Sequence, residues 1–288
     1  MATPIDIEHL RTWIGKTEVH HDTLPPTPAA ALAAALDRED SPGPGDALPP
    51  LWHWIYFLLP LRQSQLGVDG HPKRGGFLPP VPLPRRMWAG GRFEFHRPLY
   101  LGAPATRVSR IADVAYKEGR SGPLVFVQVR HEISDDAGLA IAEDQDIVYR
   151  EAPRPGEPAA VPKQAPSEFA WRREIRPDPV LLFRYSALTF NGHRIHYDHP
   201  YATQVEGYPG LVVHGPLIAT LLVDLLRRNV TDAVVSRFSF RAVSPLFDTG
   251  PFHIYGKPAG DGKTVRLWAG ARDGRLAMEA SAELAAAA

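Results

Sequence analysis

The chain has 288 residues, 44% hydrophobic and 22% charged, enough for one large domain or two moderate ones, each with its own core. Thirty-two basic residues balance thirty-two acidic ones, so no net field draws the chain to nucleic acid or to an anionic membrane. The absence of cysteine excludes disulfides, thiolate nucleophiles and cysteine-ligated metals.

The opening MATPIDIEHLRTWIG carries acidic residues early and has no apolar h-region, so it does not read as a signal peptide, and a cytoplasmic location is expected. Residues 5–19 predict a helix, and the alanine-rich residues 25–38 a second. Residues 51–61, aromatic and apolar, predict a buried helix stopped by Pro60. Residues 67–86 form a long loop rich in Gly, Pro and basic side chains. Four segments of period two follow: GRFEFHRPLYLG, ATRVSRIADVAYKEG, PLVFVQVRHEISDD and GLAIAEDQDIVYRE. Gly, Asp and Pro turns separate them, as in an antiparallel meander. A Pro-rich linker covers roughly residues 152–168.

Residues 179–188 predict another helix. Residues 211–228 predict a largely apolar core helix, but His214, Pro216 and Asp224 make its apolar run too short and too polar to span a bilayer. Four more period-two segments close the chain: VVSRFSFRAVSPLF, GPFHIYGKPA, TVRLWAGARDG and RLAMEASAEL. The halves echo each other, Arg92-Phe93-Glu94-Phe95-His96 against Arg237-Phe238-Ser239-Phe240-Arg241, each after an apolar helix candidate and before a turn and further strands. This layout predicts an α+β fold of two antiparallel sheets, each wrapped on a central helix, fused in one chain.

One stretch is unlike the rest. TFNGHRIHYDHPYA, just ahead of the second core helix, holds His193, His196 and His199 at intervals of three, with Asn191, Asp198 and Tyr201 and little apolar filler. As a metal site it is weak. Gly192 and Pro200 break a helix, only adjacent pairs at this spacing would share a face, and no HExxH is present, so no metal is expected. As a plain solvated loop it is unusually rich in titratable groups. As an acid–base site it gains a partner in Gly215. A helix starting there points free N–H groups outward, and a residue with no side chain lets a carbonyl approach them.

The pattern Asn191-x4-His196-x-Asp198, then Tyr201-Ala202, then Val213-His214-Gly215, resembles the (R)-specific enoyl-CoA hydratase (hydratase 2, MaoC-like) family. FNGHRIHYD and RMWAGGRFEFHRPL resemble its branch of mesaconyl-CoA and itaconyl-CoA hydratases and fungal mitochondrial 3-hydroxyacyl-thioester dehydratases. The resemblance covers roughly residues 50–150 and 170–288. It implies a fused double hot dog. Residues 1–155 would form a half with the long Pro/Gly loop and no catalytic site of its own, and residues 165–288 the half with the site. It implies reversible hydration of an α,β-unsaturated acyl thioester, with an acyl-CoA as partner and no cofactor. Hot dogs pair their sheets, which a fused pair does within one chain; further association into a homodimer is common in the fold.

His196 falls on the family's catalytic histidine, while the position of its catalytic aspartate is Asn191, which cannot exchange a proton at neutral pH. Asn191 is expected to orient water and Gly215 N–H to hold the oxyanion. His193, Arg194, Tyr201 and His214 are expected to face substrate. Lys73, Arg74, Arg85 and Arg86 are candidates for the CoA phosphates, and Arg194 or Arg62 for a second carboxylate on the acyl group. A thioesterase on the same fold and a non-catalytic thioester-binding protein are the alternatives, because a fold does not by itself imply turnover.

Overall fold

The computed structural model describes residues 5–119, 122–152 and 161–285. Residues 1–4 of the opening segment and 153–160 of the expected linker lie outside the described residues. The class is α+β, built on one antiparallel ten-stranded sheet.

The first half comprises α1 (Ile7–Arg11), β1 (Thr17–Asp22), α2 (Pro26–Ala35), β2 (Arg85–Phe95), β3 (Ala105–Gly119), β4 (Gly122–Asp135) and β5 (Gly138–Arg150). The second comprises β6 (Trp171–Ile175), α3 (Pro179–Leu188), α4 (Gly215–Asn229), β7 (Val235–Ala242), β8 (Phe252–Pro258), β9 (Thr264–Ala271) and β10 (Leu276–Leu284). The order across the sheet is β1-β3-β4-β5-β2-β7-β10-β9-β8-β6. It reads the same outward from the β2–β7 seam in both directions: each half contributes an edge strand, a helical segment and four strands. The expected four-strand meander holds only for the last three of these; the first crosses over to pair with the last, β2 with β5 and β7 with β10, which places it at the seam.

The two segments that echo each other in sequence are the two that pair at the seam, with Phe93 opposite Phe238 and Arg92 opposite Ser239. Their aromatic rings pack across it, Phe93 lying 6.0 Å from Phe238 and 6.2 Å from Phe240. Two glycines permit this closeness. A Cβ on Gly90 would stand 2.7 Å from the Phe240 carbonyl oxygen, and one on Gly91 would stand 3.0 Å from the Phe93 and Phe240 rings.

Helix α4 packs against β6, β8, β9 and β10. Every residue from Leu217 to Leu226 is buried; the run is apolar except for Thr220 and Asp224, whose polar atoms are hydrogen-bonded. Among the described residues the first half has no equivalent core helix. Residues 51–61 form only a 3-10 turn, Trp52–Ile55, instead of the expected helix. Leu51 (φ 69°) and Phe57 (φ 55°) leave the helical region on either side of it. His53 and Trp54 are drawn sideways onto the buried Glu143 carboxylate of β5, at 2.9 and 3.0 Å. The outer strands of that half are covered by α1 and residues 77–83, through a second cluster around Leu10, Val81, Leu83, Ile111 and Tyr149. The helix expected over 5–19 is cut short. Gly15 adopts φ 88°, and the alternating TEVHHD that follows becomes edge strand β1 on β3. No helix among the described residues is long and apolar enough to cross a membrane.

Candidate active site

The polar stretch connects α3 to α4 without regular helix. Asp178 caps α3, accepting from Leu181 N–H at 2.8 Å, and Phe190 (φ 48°) turns the chain out of its end. Arg194–His196 makes one 3-10 turn and Tyr201–Val205 one π turn. Val212 pins the loop from the α4 side: its N–H donates to Ile195 O at 2.9 Å, and its carbonyl accepts from His196 Nδ1 at 2.7 Å.

That last bond fixes the chemistry of His196. A carbonyl can only accept, so Nδ1 carries the proton and Nε2 carries the lone pair. The ring is buried and stacks on His214 at 3.7 Å with a 17° tilt. Burial holds the His196 imidazole down at about 4, partly offset by the bond to Val212, so the ring is a neutral base at physiological pH.

His214 is the N-cap residue of α4, with Nε2 2.8 Å from Ser186 Oγ. Its Nδ1 is buried without a hydrogen-bond partner among the described residues, and burial pushes its titration well below the usual histidine range. It was expected to face substrate. At 1% exposure, between Tyr185 and His196, it instead props the His196 ring.

Directly after it, Gly215 opens α4. The first N–H groups of a helix have no intrahelical acceptor, no side chain caps this one, and Gly215 N–H makes no hydrogen bond outside the helix among the described residues. A Cβ at Gly215 would meet nothing within 4 Å. A free amide, the positive end of the core helix and open space therefore stand beside the stacked pair.

The other expected residues divide. Asn191 Oδ1 accepts from His193 N–H at 3.0 Å, so its carbonyl shapes the loop and its Nδ2 is left to donate. His193 stands edge-on to His196 at 5.3 Å, and burial with the neighbouring imidazoles lowers it to about 2. Arg194 departs from expectation. Nε donates to Asp198 at 2.9 Å, Nη1 to Val68 O at 3.0 Å, and its plane lies 4.0 Å over Tyr201, so its donors hold the loop together. Tyr201 is buried beneath it with Ile195 and Val212. Arg74 spends its guanidinium on the carbonyls of Val81 and Pro84. Arg85 spends its own on Glu206 O at 2.7 Å and lies over the Tyr208 ring. Both shape loops and do not stand free for phosphate. Lys73 is exposed, donating to Ser64 O, and Arg62 is exposed in the same region. Arg86 is half-buried, with no acidic partner among the described residues. Its charge lowers His71 and His193 after burial has done so. His199 lies exposed, apart from the cluster.

Two groups were missed in sequence. Asp69 and His71 come from the Pro/Gly loop of the first half, and the His71 ring lies 3.9 Å from His193. His71 Nδ1 donates to Asp69 Oδ2 at 3.0 Å, and His71 N–H donates to Asp69 Oδ1 at 3.0 Å. The signal available was Asp-Gly-His in a turn, but no spacing rule connects position 71 to position 193. With His193 they form a trio whose ligand-type atoms lie within 4.8 Å of one another. Its geometry does not suit a metal centre: rings tilted by 36° at 3.9 Å are stacked face to face, so their in-plane lone pairs do not converge on one point at the ~2.1 Å a metal needs from each.

A family model for hydroxyacyl-thioester dehydratase type 2 matches residues 51–248, spanning the first-half loop, the polar stretch and the start of the second meander. Mesaconyl-C(4)-CoA hydratase of Chloroflexus aurantiacus is 51% identical over 276 residues, 94% of this chain and 96% of that protein. The mitochondrial hydroxyacyl-thioester dehydratase type 2 of Schizosaccharomyces pombe is 30% identical over 72% of this chain and 77% of its own. Among solved structures, HtdX of Mycobacterium tuberculosis superposes with a TM-score of 0.67 at 19% identity, over 93% of this chain and 98% of that one. A second M. tuberculosis protein, described as a double hotdog fold, superposes with a TM-score of 0.58 at 15% identity, over 94% and 96%. The sheet and its central helix are thus the hot dog fold in its double form, and the chain belongs to the hydroxyacyl-thioester dehydratase type 2 family.

Proposed function

We propose that the protein adds water reversibly across the α,β double bond of an acyl-CoA whose acyl group carries a second carboxylate, as in mesaconyl-C4-CoA. Hydration and dehydration of acyl thioesters is the chemistry of the family, and the dicarboxylic acyl group is taken from the relative at 51% identity over nearly the whole chain. The observation that carries the reading is the juxtaposition of a neutral base, His196 with its lone pair on Nε2, and the uncapped amide of Gly215 at the N-terminus of α4.

The reaction follows from that pair. Gly215 N–H donates to the thioester oxygen, drawing electron density from Cβ. Asn191 Nδ2 holds the water, His196 Nε2 takes its proton, and the oxygen bonds to Cβ while the π electrons move to the thioester oxygen as an enolate. The imidazolium then returns the proton to Cα as the enolate collapses, and one water has been added. Dehydration is the reverse. The exposed Lys73 and Arg62 are left for the CoA phosphates. Arg86, beside the histidines and without an acidic partner among the described residues, is the cation for the second carboxylate.

The test is the enoyl-thioester absorbance of mesaconyl-C4-CoA and crotonyl-CoA, with free thiol assayed in parallel. Loss of the band with wild type, without thiol release and not with His196→Ala, is the expected result. Release of free CoA would sink the hydratase reading in favour of a thioesterase.

A further inference from the structure

We propose that Asp69 and His71, carried on the loop of the first half, complete the catalytic centre of the second: His71, held by Asp69, braces His193, and the Asp69 carboxylate balances the positive charge that His196 takes up during turnover. The proposal rests on the hydration reading above and goes beyond it by making the site a joint product of both halves.

The motif loop has no carboxylate for this task. Asn191 is neutral, with its oxygen spent on His193 N–H. Asp198 is spent on Arg194 and on Tyr201 N–H. Yet turnover through His196 passes through an imidazolium inside a group of four rings, of which His196 and His214 are buried and His71 and His193 half-buried: His71 on His193 at 3.9 Å, His193 against His196 at 5.3 Å, and His196 on His214 at 3.7 Å. A positive charge in such a place needs a counter-charge. The Asp69 charge acts on His71 and His193, the two rings that lead to His196, while Arg86 opposes it on both and Arg74 on His71. Asp69 itself is fully ionised: burial alone would raise it, but the hydrogen bond and charge of His71 hold it far below the carboxylate range.

The arrangement is built, not incidental. Arg194 N–H donates to Asp69 O at 2.9 Å and Arg194 Nη1 to Val68 O at 3.0 Å. Gly70 (φ 86°) presses so close that a Cβ there would lie 1.8 Å from Gly192 O, and one on Gly192 would lie 2.9 Å from Gly70 O. The loop is therefore locked to the motif at the residues flanking Asp69, His71 and His193. Both Asp69 oxygens hold His71, which fixes its Nδ1–H tautomer and ring plane against His193.

The experiment compares wild type, Asp69→Asn, Asp69→Glu and His71→Asn in hydration of mesaconyl-C4-CoA, with pH profiles. Asp69→Asn is expected to lower kcat about 10- to 100-fold with little change in KM. It is also expected to move the acid limb of kcat/KM to lower pH, because an imidazolium without its counter-charge forms less readily. Asp69→Glu should restore part of the rate and return the limb. In the resting protein, 15N shifts should report His71 as the Nδ1–H tautomer in wild type and its loss in Asp69→Asn. A wild-type kcat and unshifted limb in folded Asp69→Asn, or a rise in KM alone, overturns the proposal. If Asp69→Asn does not fold, a wild-type kcat in folded His71→Asn overturns it equally, because the brace on His193 is then removed without consequence. Loss of wild-type activity to a chelator, with metal found in the purified protein, overturns it in favour of a metal centre. A wild type inactive on every thioester removes the hydration reading itself, and the proposal falls with it.

Discussion

His196 is a base because of where its other nitrogen points. With Nδ1 committed to Val212 O, the free electron pair is on Nε2, and burial keeps that pair unprotonated. His196→Gln keeps a hydrogen-bonding side chain of similar reach but no base, so kcat should fall about 10³-fold while folding is retained; steady-state kinetics beside circular dichroism checks this. The same burial sets a pH limit on stability. His196 and His131 are both held down at about 4 in the fold, against ~6.5 in the unfolded chain. Between those values the unfolded chain binds protons that the fold refuses. Stability is therefore full above ~6.5 and is lost as pH falls toward 4, by about 3 kcal/mol per group. Urea midpoints at pH 7, 5.5 and 4.5 should fall in that order. Arg86 gives a selectivity prediction. Arg86→Gln should raise KM for mesaconyl-C4-CoA about tenfold or more and leave crotonyl-CoA nearly unchanged, because only the former brings a carboxylate. Equal losses on both would move Arg86 to the CoA end of the site.

Strand and helix periodicity carried much of the architecture. Period-two segments became β2–β5 and β7–β10, and the apolar run became α4 from Gly215 on; Leu211–His214, expected in that helix, stay outside it, with Val212 held to Ile195 and paired with Phe247. Edge strands β1 and β6 were not legible: their exposure alternates, but each is short and paired on one side only, and its residues are mostly polar on both faces, so no apolar period-two pattern marks them. Residues 51–61 read as helix because their apolar side chains are buried, but the partner that bends them, Glu143, is distant in sequence. In the candidate site, His196 and Gly215 could be singled out in sequence, because the motif that marks the one and the helix entry that marks the other are both local. Asp69 and His71 could not, since their role depends on a loop docking from the other half. Two glycines test these joints separately. Gly70→Ala must push back the Gly192 carbonyl, and its φ of 86° is strained for any side chain. It should cut kcat/KM at least tenfold by taking His71 off His193, with a small change in melting temperature. Gly90→Ala lies 2.7 Å from Phe240 O in the seam and should cost about 1–3 kcal/mol in global stability. Kinetics and thermal unfolding of both variants separate the joint that serves the site from the joint that serves the sheet.

The two halves share one hydrophobic core, and three further joints are the β2–β7 seam, the loop beneath the histidines, and a buried charge on the core helix. Asp224 of α4 has no side-chain exposure and accepts from Arg38 at 2.7 Å, Arg173 at 3.0 Å and Arg228 at 2.7 Å. These arginines follow α2 in the first half, sit on edge strand β6 and lie one turn along α4. Arg173 and Arg228 also donate to Leu36 O, and Arg228 to Asp37 O, so they cap the end of α2 as well. One carboxylate thus fastens the first-half helix to the second-half core, and its partners have no other buried anion. Removing Asp224 costs more than losing a surface ion pair, because Arg173 and Arg228 stay partly buried without it, although Arg38 keeps Asp40. Asp224→Asn keeps the shape and removes the charge. It should lower stability by about 3–5 kcal/mol, measured as the denaturant midpoint, while the tryptophans of the two halves still unfold together. Trp52 and Trp54 report the first half and Trp268 the second. Both signals are tied to one continuous ten-stranded sheet, and half the molecule cannot let go of β2 or β7 without exposing the aromatic seam of the other. If the variant splits the transition in two, the Asp224 cluster and not the seam is what makes the halves one folding unit. If it lowers a single transition, the seam holds the cooperativity and the cluster adds only stability.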